Sequence, residues 1–179
     1  MKKIMAILMA LLLVGCAALA EAAVQDEGFV FCNGITWGMT PEEVAAAENV
    51  EEADAFDYGE KLTFMEFEDV EALANTEGDA NFIFLNGALV VCGYEFDEED
   101  IDVQTVLEAV KAEYGEPTDS DPATLNALLG ALTGPSELED GAFFAGWTLP
   151  DGTYVGITDS FDDIELAYLD APTIGAQAE

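Results

Sequence analysis

The run Ile35-Thr36-Trp37-Gly38-Met39-Thr40-Pro41-Glu42-Glu43-Val44 holds a strand end, a glycine turn and a capped helix start. Thr40 is placed to cap the helix. Pro41 stands at the first helical position, where its missing N–H leaves no bond unmade, and Glu43 can close a capping box with Thr40. The spacing predicts a helix from Pro41 to about Asn49, whose Ala45-Ala46-Ala47 run would let it lie close on a sheet.

Upstream of this stretch, Gly28 to Thr36 reads as a strand. Downstream, Glu51 to Asp57 reads as an acidic connection and Lys61 to Phe67 as a second strand, while Asp69 to Gly78 is either a loop or one helical turn. Asn81-Phe82-Ile83-Phe84-Leu85 and Ala88 to Phe96 flank Asn86-Gly87, the strongest short signal for a β-hairpin. Val103, Val106, Leu107, Val110 and Tyr114 repeat at helical spacing, with Asp102 as the cap, Gly115 past the end and Pro117 beyond it. Asp121-Pro122 opens another helix with Leu125, Leu128, Leu129 and Leu132 on one stripe, closed by Gly134-Pro135. That stripe is either core or a docking face. Ala142 to Leu149 and Thr153 to Thr158 flank Pro150-Asp151-Gly152, and Ile164 to Leu169 alternates as a last strand.

The order is one helix plus a three-stranded meander, used twice. It predicts an α+β domain over residues 28–170, made of two similar halves, about 28–97 and 98–170, with the helices packed on one face of a largely antiparallel sheet. Residues 171–179 read as a disordered tail.

The N-terminus carries an address. Met1-Lys2-Lys3 is a short basic segment, and Ile4 to Val14 is an uncharged apolar run too short for a permanent membrane span of roughly 20 residues. Residues 1–15 therefore read as a signal peptide and residues 16–27 as a flexible tether. Leu13-Val14-Gly15-Cys16 resembles the lipobox of bacterial lipoproteins, which implies cleavage before Cys16 and lipid on its thiol. Simple secretion, with a cut after Ala18-Leu19-Ala20, is the alternative.

The chain holds 38 Asp and Glu against 4 lysines, with no Arg and no His, for a net charge of −34. Such a surface repels phosphate backbones and anionic headgroups, so no nucleic acid is expected, and a lipid is the means of membrane attachment. A hydrophobic fraction of 51% and an aromatic fraction of 10% suffice for a core. Without an imidazole or a guanidinium there is no conventional triad, zinc site or phosphate clamp, so the chain reads as a non-enzyme without cofactor, with a carboxylate-only hydrolase ranked after it.

Three further features stand out. Cys32 and Cys92 form an even pair in an exported protein, either bridged or buried as free thiols; a bridge would add roughly 4 kcal/mol. Asp97, Asp100 and Asp102, with Asp159, Asp162 and Asp163, are dense enough to hold calcium loosely, or are solvated loop charge. Trp37 and Trp147 each sit beside a glycine and either line a recognition surface with Leu125 and Leu128 or anchor the sheet.

Together, Gly34-Ile35-Thr36-Trp37-Gly38-Met39-Thr40 with Val44, Asn86-Gly87-Ala88-Leu89, Gly93-Tyr94-Glu95-Phe96, Tyr114-Gly115-Glu116-Pro117 and Gly146-Trp147-Thr148 resemble an uncharacterised set of small exported or lipid-anchored bacterial proteins. These share a G-I-x-W-G-x-[ST] start and a Y-G-x-P helix end. More distantly, Gly38-Met39-Thr40 with Val44 resembles the small outer-membrane lipoproteins of the barrel-assembly machinery, and the doubled layout resembles beta-lactamase inhibitory protein. Those resemblances imply a binding module, here a lipid-anchored envelope protein with an envelope or extracellular protein as partner. An exported cation-binding or ligand-sensing domain is the alternative.

Overall fold

The computed structural model describes residues 28–48, 54–73, 76–134, 142–160 and 163–177, and the statements below concern those residues. Seven strands form one antiparallel sheet: β1 Asp54–Tyr58, β2 Leu62–Glu71, β3 Glu77–Leu85, β4 Ala88–Asp97, β5 Phe143–Thr148, β6 Thr153–Ser160 and β7 Asp163–Asp170. Their spatial order is β1-β2-β3-β4-β7-β6-β5. Each half thus runs helix then meander, and the last strands of the two halves, β4 and β7, pair at the centre. The expected α+β class is what the chain adopts, but the first meander has four strands in place of three and two helices precede the second.

The opening stretch works as its residues require. Thr40 Oγ1 accepts from the Glu43 amide at 3.3 Å and Glu43 Oε2 accepts from the Thr40 amide at 2.9 Å, a closed capping box starting α1, Pro41–Glu48. The preceding turn is tied to the sheet: the Gly38 amide donates to the Leu89 carbonyl at 3.0 Å and the Leu89 amide donates to the Met39 carbonyl at 2.9 Å. In the second half, Asp102 Oδ1 accepts from the amides of Gln104 and Thr105, and this cap starts α2, Val103–Tyr114. Asn86 and Gly87 both take positive φ, 53° and 82°, as a two-residue hairpin turn demands.

Four expectations are corrected. Residues 28–36 do not run as a strand: a short 3-10 turn at Cys32–Gly34 folds them back so that only Val30 and Thr36 pair. Asn33 and Gly34 take positive φ there. The acidic connection before Tyr58 contains β1, in register with β2. Residues 171–177 are not a disordered tail, because Ala171–Gly175 forms a helical turn, α4; residues 178–179 lie outside the described residues. Asp170 caps the turn, and Ile174 is fully buried.

The fourth correction concerns the layers. Val44 of α1 and Val106 and Val110 of α2 join the larger core, with Phe82, Ile157 and Tyr168 of the sheet. The leucine helix α3, Ala123–Thr133, packs with α4 on the opposite face, where Leu125 and Ile174 meet Tyr154 and Leu169. Alternation along the strands proves the point: Tyr154 and Leu169 belong to one cluster, and their neighbours Val155 and Tyr168 to the other. The sheet is therefore a middle layer, with helices on both faces.

The two sheet edges differ. On β5, the Thr118 amide donates to the Gly146 carbonyl at 2.8 Å, the Gly146 amide donates to the Asp119 carbonyl at 2.9 Å, and the Thr148 amide donates to Thr118 Oγ1. That loop occupies the edge. On the far side of the sheet, β1 is the terminal strand.

Candidate functional site

Cross-strand register lays out the α3 face in rows. Phe64, Ile83, Val91, Leu169 and Tyr154 oppose one another in turn across β2, β3, β4, β7 and β6. The next row is small at its centre, with Asn81 opposite Gly93, Gly93 opposite Ala167 and Ala167 opposite Gly156. A third row is polar, running Asp79, Glu95, Glu165 and Thr158. Apolar, small and acidic side chains thus lie side by side on one surface.

Helix α3 covers only part of this surface. Leu125 comes down on Gly156, where an added Cβ would lie 3.3 Å from its Cδ2. Beyond the helix a groove of about 270 Å³ opens over Gly93 and Ala167. Leu125 and Leu129 form one wall, Phe64 and Ile83 the other, and Glu95 and Glu165 the rim. Gly93 is small for a backbone reason, since a Cβ there would overlap the Leu166 carbonyl oxygen. The hollow is a by-product of that close approach.

The aromatic wall continues outward into solvent. Phe56 of β1 stacks on Phe64 with ring centroids 5.2 Å apart, and Tyr58 meets Phe64 edge-on at 6.0 Å. Phe56 is 58% exposed and Tyr58 55%. A lone exposed aromatic is ordinary, but here two of them flank the groove through Phe64.

Charge on the rim has one sign. Burial raises the Glu95 carboxyl above its ordinary range, and Asp163, Glu165, Glu66 and Asp79 raise it further. Burial likewise raises Glu165, opposed by the hydroxyl of Thr158, which donates to Glu165 Oε2 at 3.4 Å, and reinforced by Asp163. Two carboxylates, Glu95 and Glu165, line the groove, and Asp163, Glu66 and Asp79 act on Glu95 from beside it. Lys111 lies elsewhere, paired with Glu108 at 3.2 Å and Glu116 at 3.1 Å.

The residues singled out from the sequence fall in several places. Trp147 is 1% exposed and donates from Nε1 to the Gly115 carbonyl at 2.9 Å, so it locks the end of α2 to β5 and lines no surface. Trp37 is half-buried, stacks on Phe29 at 4.6 Å and donates to Thr153 Oγ1 at 3.0 Å. Both indoles anchor the sheet. Leu125 is buried, while Leu128 is half-buried against the same core.

No disulfide joins Cys32 and Cys92: Cys92 is buried within β4, Cys32 lies in the 3-10 turn, and burial holds the Cys92 thiol well above its usual pKa. Cys16 lies outside the described residues.

Among the acidic candidates, Asp97 and Asp163 line one shallow hollow with Glu98 and Glu99. Asp102 serves as the α2 cap, Asp97 Oδ1 accepts from the Glu99 amide at 2.7 Å, Asp100 sits in the exposed turn after β4, and Asp159 opposes Ile164 in the sheet. Asp163 opposes Asp97, and Asp162 is outside the described residues. Among the described residues no three His, Cys, Asp or Glu are grouped to hold a metal ion. No helix among them is long and apolar enough to cross a membrane.

The groove itself was not among the sequence candidates. Its parts, Phe64, Gly93 and Ala167, lie on different strands, and only the pairing register brings them together. The class defined by fold and site is an α+β domain with a central antiparallel sheet and a partly uncovered second face. Searches of family models, curated proteins and solved structures find no match to the chain.

Proposed function

We propose that this protein is a lipid-anchored component of the bacterial envelope that works as a non-enzymatic interaction module, with the groove beside α3 as its working surface. The observation that carries the reading is the continuity of that groove with the exposed aromatics Phe56 and Tyr58. The composition supports it, since the chain has no His and no Arg to serve imidazole or phosphate chemistry. The lipobox-like Leu13-Val14-Gly15-Cys16 supports anchoring, and the resemblance to small envelope lipoproteins and to an inhibitory protein supports a binding role.

The test is crosslinking in intact native cells with a tagged copy and carboxylate-reactive chemistry, against an unrelated acidic lipoprotein. A reproducible partner, lost when Phe56 and Tyr58 are changed to Ser, is the expected result. Capture no better than the control overturns the reading. Intact mass of the native protein tests the anchor, and a product beginning at Glu21 without lipid overturns it.

A further inference from the structure

The groove also says what its occupant must be made of. This step rests on the interaction-module reading and deepens it. Its volume, about 270 Å³, lies below the range of roughly 300–1,000 Å³ for sites that enclose a whole small ligand. It suits one or two side chains presented by a polypeptide. Its walls are aliphatic and aromatic, which calls for apolar side chains at the floor. Its rim is carboxylate, with Glu95 opposite Glu165 and with Glu66, Asp79 and Asp163 close enough to act on Glu95.

Charge decides among occupants. A second copy of a chain with net charge −34 would set carboxylates against carboxylates, and an anionic headgroup would do the same. A neutral apolar segment would cover the rim and leave its charges desolvated without partners. We infer that the groove takes a polypeptide segment in which apolar side chains alternate with Lys or Arg. The apolar ones reach the floor at Gly93 and Ala167, and the cations meet Glu95 and Glu165. The crowding that raises the Glu95 carboxyl in the free protein is then relieved on binding.

The test uses the full chain in zwitterionic nanodiscs and an eight-residue fluorescent peptide alternating Lys with photoreactive Leu. Two controls replace every Lys by Glu, or every Leu by Ser. Saturable binding, subtracted against empty nanodiscs, with crosslinks to Phe64, Ile83, Leu129 or Ala167, is the expected result. Both controls should bind about tenfold more weakly or worse, and the double change Glu95→Gln with Glu165→Gln should weaken the Lys/Leu peptide by about tenfold without lowering the melting temperature.

Equal binding of the Glu/Leu peptide, crosslinks mapped elsewhere, or indifference to the double change overturns the inference. If that happens while cells still yield a partner lost with Phe56→Ser and Tyr58→Ser, the module reading stands and only the occupant's chemistry falls. If the peptide behaves as expected and cells yield nothing above control, the recognition chemistry stands and the module reading falls.

Discussion

Glu95 of β4 and Glu165 of β7 stand directly opposite one another at the seam between the two halves of the sheet. Like charges at such positions destabilise a strand pair, and here burial and then Asp163, Glu165, Glu66 and Asp79 hold the Glu95 carboxyl above its ordinary value of 4.5. The folded protein therefore binds that proton more tightly than the unfolded chain does. The resulting penalty is present at neutral pH and disappears as pH falls through the raised value toward 4.5. Glu95→Gln is expected to raise the melting temperature at pH 7 by on the order of 1–3 °C, and the gain should shrink when the scans are repeated near pH 4.

Two glycines of the same row separate backbone crowding from side-chain crowding. A Cβ on Gly93 meets the Leu166 carbonyl oxygen, which cannot move without disturbing the β4–β7 ladder, whereas a Cβ on Gly156 meets the end of the Leu125 side chain at 3.3 Å. Gly93→Ala should cost about 3 kcal/mol or more and Gly156→Ala less than about 1 kcal/mol, read from urea unfolding midpoints. Equal costs would show that the close approach at Gly93 is not what limits the sheet.

Ile174 measures the contribution of the C-terminal turn. It is fully buried against the core under α3, so Ile174→Ala should cost about 2–4 kcal/mol, as for other buried aliphatics. A cost under about 0.5 kcal/mol in thermal or chemical unfolding would mean that residues 171–175 do not pack in solution.

Asp119 gives the opposite pH sign from Glu95. The Asp121 amide holds its carboxyl below the ordinary 3.8, and the hydroxyls of Tyr154 and Thr124, each 3.1 Å from Oδ2, add to this against a smaller opposing effect of burial. Its contribution is present above 3.8 and is lost as pH falls through the depressed value. Asp119→Ala should cost roughly 0.5 kcal/mol at pH 7 by equilibrium unfolding, since solvent screens an exposed carboxylate, with the difference from the unchanged protein narrowing in strong acid.

Local signals in the sequence carried the elements whose chemistry is local. Thr40 and Glu43, Asp102, and Asn86-Gly87 each specify a cap or a turn through groups within a few residues, and each does so in the structure. β1 escaped because Asp-Ala-Phe-Asp-Tyr offers two acids and exposed aromatics, the composition of a loop, and it is held by pairing with β2.

The face chosen by α3 could not be read. β4 is buried on both sides, from Leu89 through Tyr94 without a break, so no alternation marks which surface awaits a helix. The groove needed the same missing information. Phe64, Gly93, Leu129 and Ala167 meet only through register and layer order.

The unequal edges of the sheet set a limit on self-assembly. The β5 side is filled by the loop at Thr118 and Asp119, while among the described residues nothing pairs with the outer edge of β1, so among them only that flank can take another strand. A filament grown strand to strand needs two free flanks on every subunit. Among the described residues one flank is unfilled, and association by that route closes at a twofold pair.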